Sequence, residues 1–175
     1  MHAIICIIAT PPLPQAPPGK NQIEFKLEIT DTADEQVRAQ ILAPLKQFNN
    51  SKAGPSHYRP LVVTLKDDAE EIVGGLWGTT SYGWLFIQLL LVPESARGKG
   101  IGTQLMAAAE TEAIERGCHS AWLNTHEFQA KGFYERNGYS VFGTLADYPP
   151  GFSYTFLQKQ LHPVRGPSGP RLLRM

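Results

Sequence analysis

The residues that first suggest chemistry are Arg97-Gly98-Lys99-Gly100-Ile101-Gly102-Thr103, which set three glycines at alternate positions ahead of a helical pattern. Ile101, Leu105, Ala109 and Ala113 then recur every four residues until Gly117 caps the helix. Glycines at a helix start remove side chains where backbone N–H groups gather. The helix dipole adds partial positive charge there, so phosphate oxygens can approach closely. The segment is therefore read as an anion cradle, although glycines so spaced also serve tight turns and close packing alone. Arg97 and Lys99 could touch phosphates or stay solvated. Neither the P-loop pattern G-x-x-x-x-G-K-[ST] nor the dinucleotide pattern G-x-G-x-x-G is present. With no clear magnesium ligands either, a nucleotide-dependent phosphotransferase ranks last.

The cradle needs a strand to feed it, and residues 84–92 are almost wholly apolar, with Gln88 the only polar member. This reads as a central strand covered on both faces and ended by Pro93. Upstream, residues 23–29 alternate Ile/Glu/Phe/Lys/Leu/Glu/Ile, which predicts a half-buried first strand. Thr32 and Glu35 have capping-box spacing before Val37, Ile41, Leu45 and Phe48, and Pro44 should kink or divide that helix. Residues 58–66 and 72–79 flank a polar pentapeptide as in an antiparallel hairpin, and residues 80–83 turn again. Residues 120–125 form a further strand, 130–137 a short helix ended by Gly138, and 139–145 and 153–161 the closing strands. The pattern is an α/β fold with a central mixed, mostly antiparallel sheet of six to seven strands flanked by helices.

The 175 residues suit one domain acting alone or as a homodimer, and 42% hydrophobic against 18% charged residues excludes a fully disordered or fibrous chain. Sixteen basic and sixteen acidic residues cancel, leaving no footprint for nucleic acid or an anionic membrane. Cys6 and Cys118 are far apart and lack metal-site spacing, so a reduced, cytoplasmic setting and no metal are expected. Residues 3–9 are too short an apolar run to span a bilayer and lack the basic flank of an export signal. Five prolines between Pro11 and Pro18, and Pro163, Pro167 and Pro170 near the end, mark residues 1–20 and 163–175 as disordered tails around a domain at 21–162.

Arg97-Gly98-x-Gly100-x-Gly102 combined with Ala130-x-x-Phe133-Tyr134-x-x-x-Gly138-Tyr139 resembles the GNAT superfamily of acyl-coenzyme A N-acyltransferases, the best match running over residues 89–139. The resemblance implies a GNAT-like fold and acetyl-CoA as co-substrate. It implies pyrophosphate contacts along the backbone of Arg97, Gly98, Lys99, Gly100, Ile101, Gly102 and Thr103. It implies a backbone N–H around Leu91 and Val92 for the oxyanion, which a splayed or bulged strand would free. Tyr134 matches the tyrosine that protonates the departing thiolate. Asn124 could bond the pantetheine arm or be an ordinary turn residue. The implied reaction is acetyl transfer to a primary amine of a small molecule, with protein N-termini or lysines, or a noncatalytic acyl-CoA sensor, as alternatives.

Two departures from the family pattern matter, and the second leaves the general base unassigned. Glu127 stands where many relatives carry an Asn that contacts the cofactor, with Gln129 as a substitute. Gln88, the one polar residue on the strand before the cradle, cannot take a proton. Glu127, Asp147 and His126 are candidates, and each also reads as a solvated loop residue. Trp77, Tyr82, Trp84, Tyr148 and Phe152 are candidates for the acceptor groove, where rings could hold an alkyl chain or attract a cation, although core packing explains them equally. Asp147-Tyr148-Pro149-Pro150-Gly151-Phe152 joins the last two strands and could border that groove.

Overall fold

The computed structural model describes residues 25–161, in two compact units that meet in sequence between Pro55 and Ser56. Both expected tails and Cys6 lie outside the described residues. In the first unit, residues 25–29 carry no regular secondary structure, so the described part of the expected first strand is not a strand. Alternation alone fixes a strand only where a neighbouring strand completes its ladder. One helix follows, α1 (Glu35–Ala53), capped by Asp34, whose side chain accepts the Gln36 N–H at 2.8 Å. Pro44 sits inside it without dividing it in two.

The second unit is a six-stranded sheet: β1 (Arg59–Lys66), β2 (Ile72–Ser81), β3 (Trp84–Leu91), β4 (Ser120–His126), β5 (Ser140–Leu145) and β6 (Tyr154–Gln160), in the spatial order β1-β2-β3-β4-β6-β5. Only β3 and β4 run parallel; the other four pairings are antiparallel. The parallel pair needs a crossover, supplied by α2 (Ile101–Glu115), and α3 (Lys131–Arg136) connects β4 to β5. The helical stripe read from the sequence is the face α2 buries: Leu105, Ala109 and Ala113 meet Leu61, Leu76, Leu85, Ile87, Ala121, Leu123 and Leu157. Ala109 and Ala113 are fully buried, and their small side chains let the helix lie close to the sheet. Gly117, at φ 84°, turns the chain after α2 as expected.

Candidate active site

β3 and β4 pair only from Trp84↔Ser120 to Ile87↔Leu123, and beyond that point the two strands part. At the same place the register between β2 and β3 slips: Trp77 faces Leu89, yet Gly78 faces Ile87. Gln88 is thus the extra residue of a β-bulge, and a bulge inverts side-chain parity. Before it Leu85 and Ile87 are buried; after it Leu90 and Val92 pack on the core while Leu89 and Leu91 are 66% and 59% exposed. The expectation of a strand covered on both faces is therefore corrected. An unbroken apolar run hides a change of face that an alternating strand would have shown.

The parallel pairing puts the C-terminal ends of β3 and β4 at one end of the sheet, together with the start of α2. The three glycines there have different reasons. Gly98 and Gly100 hold φ of 73° and 77°, and an added Cβ at either would meet nothing within 4 Å, so conformation demands glycine. Gly102 has an ordinary backbone, but a Cβ would lie 3.1 Å from the Phe133 ring of α3 and 3.6 Å from Val92 Cγ2, so packing demands it. Val92, Gly102 and Phe133 thereby join β3, α2 and α3. The N–H of Gln104 closes the first helical bond onto Gly100 O at 3.1 Å, leaving those of Ile101, Gly102 and Thr103 as unpaired first-turn donors. Arg97 folds back so that Nε donates to Val92 O at 3.3 Å, which steadies the loop, and Lys99 is exposed.

Tyr134, on α3 beside Phe133, is buried in the core cluster, and burial pushes its phenol above the usual tyrosine range, so it stays protonated. Its hydroxyl bonds no described residue. Tyr139, five residues on, differs: its hydroxyl donates to Glu110 at 3.0 Å, and Glu110 also receives Lys159 Nζ at 2.6 Å.

Asn124 lies within β4 opposite Phe156, not in a turn, and accepts a short hydrogen bond from the Tyr154 hydroxyl. Gln129 Oε1 accepts from Thr125 Oγ1 at 3.1 Å and His126 N at 2.9 Å, tying the approach to α3 onto the end of β4. Glu127 accepts from both the N–H and the hydroxyl of Ser153 at 2.9 Å, bonds that hold its carboxyl below the usual range. Asp147 accepts the Gly151 N–H at 2.7 Å inside the β5–β6 loop. Of the acceptor-groove candidates, Tyr148 and Phe152 lie at this end, in rings around His126, and Trp77 is half exposed on β2. Tyr82 and Trp84 are corrected: they sit at the β2–β3 turn, at the far end of the sheet. Phe128, which stacks on His126 at 5.0 Å, had no motif or periodicity to point to it.

Among the described residues there is no group of three or more His, Cys, Asp or Glu that could hold a metal ion, and no helix is long and apolar enough to cross a membrane. The residues present suit a phosphate-bearing thioester. Open space surrounds Gly98 and Gly100, three donors point out of the helix start, and a protonated phenol stands on the helix that closes against it.

The profile of the Acetyltransferase (GNAT) family matches residues 26–139. An acetyltransferase of Agrobacterium fabrum is 41% identical over 132 residues, 75% of this chain and 96% of the relative. Blasticidin-S acetyltransferase of Streptomyces morookaense is 45% identical over 92 residues, 52% of this chain and 68% of the relative. The crystal structure of an acetyltransferase from Agrobacterium tumefaciens superposes with a TM-score of 0.74 at 40% identity, covering 78% of this chain and 99% of that one. A glycine-started helix behind a bulged strand, a forked parallel pair and a matched profile across most of the described residues lead to one conclusion: the chain belongs to the GNAT acetyltransferase family, whose members use acetyl-CoA.

Proposed function

We propose that the chain transfers the acetyl group of acetyl-CoA to a primary amine on a small molecule. The observation that carries the reading is the fork: β3 leaves β4 after Ile87, bulges at Gln88, and ends beside the unpaired amides that start α2. The backbone of Arg97, Gly98, Lys99, Gly100, Ile101, Gly102 and Thr103 receives the pyrophosphate, with the helix dipole favouring the negative charge. Asn124, past the fork on β4, retains its amide N–H groups for the pantetheine arm while its carbonyl is engaged by Tyr154. A backbone N–H at Leu91 or Val92 stabilises the tetrahedral oxyanion. Tyr134 gives its proton to the departing thiolate, and burial suits it to that role by keeping the phenol neutral.

A small-molecule acceptor is supported by the relative named blasticidin-S acetyltransferase and by a net charge of zero, which offers nothing for nucleic acid. The working unit is the domain at residues 21–162, and the free, buried Cys118 accords with a reduced, cytoplasmic setting. The test pairs two measurements. Millimolar acetyl-CoA should raise the melting temperature by mass action on the folded state, and a panel of amines should include one that releases free coenzyme A thiol. Failure of both overturns the reading; protection without thiol release from any amine would instead identify a noncatalytic acyl-CoA sensor.

A further inference from the structure

We infer that His126 takes the proton from the acceptor amine, among half-exposed aromatic rings suited to a small organic cation. The inference rests on the acetyl-transfer reading and supplies the base which that reading lacks. An alkylammonium must lose a proton before its nitrogen can attack. Of the nearby carboxylates, Glu127 is held by two bonds from Ser153 that lower its basicity, and Asp147 is engaged by Gly151 within its own loop. His126 differs from both: its Nδ1 is buried, yet no described residue bonds it. A buried ring nitrogen without a partner is costly unless a ligand group or water meets it.

The ring is held in place without using that nitrogen. Its backbone N–H is bonded by Gln129, and it lies 4.4 Å from the Tyr154 ring, 5.0 Å from Phe128 and 6.1 Å from Tyr148. Phe152 meets Phe128 edge-on at 5.1 Å and extends the wall. His126 stands three residues past the last β3–β4 pair, roughly 10 Å along the strand. It shares the sheet face of Trp122 and Asn124, opposite the α2 face where Leu123 is buried. It is thus at the forked end, beside the path a thioester would follow.

The titratable groups around it are Tyr148 from the β5–β6 loop, Tyr154 from β6, kept neutral by burial, and the neighbouring carboxylates Glu127 and Asp147. Rings 44 to 57% exposed at Phe152, Tyr148 and Phe128, flanked by two acids, select a cation. The acceptor class is a primary amine whose molecule carries a second positive group. His126 removes one proton from the ammonium, and the freed lone pair forms the C–N bond at the thioester carbonyl. The attached nitrogen, made acidic by bond formation, gives up its second proton as the C–S bond breaks and Tyr134 protonates sulfur; that proton restores the Tyr134 phenol through solvent, and His126 passes its own to solvent, so the products are amide, free thiol and one proton.

His126→Gln should keep acetyl-CoA protection, which reports folding and cofactor binding together, while kcat/KM falls about a hundredfold or more. The acid limb of the kcat/KM profile should disappear with it. Imidazole added to His126→Ala should restore activity at least several-fold, and Tyr148→Leu should raise KM for dicationic amines more than for neutral monoamines. A His126→Gln enzyme with near wild-type rate and an unchanged acid limb would overturn the inference and leave the acetyl-transfer reading standing. Absence of thiol release by the wild-type protein with every amine would overturn both.

Discussion

The two ends of the sheet are built from similar side chains and treat them in opposite ways. At the β2–β3 turn, Arg116 Nε meets Glu112 at 2.6 Å and Nη1 donates to Pro60 O at 2.8 Å, while His119 Nδ1 meets Ser120 Oγ at 2.9 Å. Gly83 O accepts from His119 N and His119 O from Leu161 N, both at 2.9 Å. Even the recess of about 210 Å³ at this end, lined by His57, Arg59, Thr80, Arg116 and Cys118, has its inner guanidinium already bonded. At the forked end one imidazole nitrogen, one phenol and the first-turn amides of α2 have no partner among the described residues. A polar group bonded within the protein stabilises the fold; one left unbonded costs stability and is available to a ligand. The contrast puts the proposed site where stability is given up.

The sharpest way to break this comparison uses two tyrosines five residues apart. Tyr134→Phe removes an unbonded hydroxyl and should lower kcat by about a hundredfold to ten-thousandfold, with melting temperature and acetyl-CoA affinity nearly unchanged. Tyr139→Phe removes a hydroxyl bonded to Glu110 and should do the reverse, lowering stability by about 1 to 3 kcal/mol with little effect on rate. Steady-state kinetics and thermal denaturation on both variants decide the matter. A Tyr134→Phe rate within about twofold of wild type, where chemistry limits turnover, would sink the acid role.

The next effect is on binding. Gly100→Glu puts a Cβ where φ is 77° and a negative charge among the first-turn amides, so acetyl-CoA should bind at least about tenfold more weakly. Calorimetry showing unchanged affinity would remove the phosphate role from the cradle. The matched variant at the other end is Arg116→Met, which should cost about 2 kcal/mol by leaving Pro60 O and Glu112 without their donor, while kcat stays at the wild-type value. A change in turnover with no loss of stability would erase the distinction between the ends.

The sequence revealed strands and helices wherever periodicity matched burial, and it failed where geometry depended on a neighbour. All six strands and both helices of the second unit were legible because hydrophobic runs, glycine stops and Asp-rich turns bounded them. The glycine pattern was legible because its chemistry is local, whereas Tyr134 was singled out by the family resemblance alone. The bulge at Gln88 was not, since it exists only as a slip between β2 and β3, and eight mostly apolar residues give no parity to read. The same cause sent Tyr82 and Trp84 to the wrong end: composition says that a ring lies near a turn, and only the parallel β3–β4 pairing says which turns share an end. His126 and Glu127 looked alike as adjacent loop candidates until hydrogen bonds separated them, one carboxylate engaged and one imidazole nitrogen not.

Glu127 supplies the smallest predicted effect and the finest test, because it is a polar group at the forked end that is committed to structure. Its carboxylate holds Ser153 by two bonds and so ties the β5–β6 loop, which carries Tyr148 and Phe152, to the end of β4. Those bonds lower its folded-state pKa below the ordinary carboxylate value. By linkage, the stabilisation is present above the unfolded-state pKa and is lost as pH falls through the folded one. The group is exposed, so salt should weaken the effect and global stability should barely respond. Local order should respond more. Hydrogen exchange at the Ser153 amide should be protected at neutral pH, lose protection as the carboxyl protonates, and be fast at every pH in Glu127→Ala, which has no side-chain acceptor. Equal protection of Ser153 in the variant and the wild type at neutral pH would show that the loop is held without the carboxylate, by the bond from the Glu127 N–H to Ser153 O at 2.9 Å and its aromatic contacts.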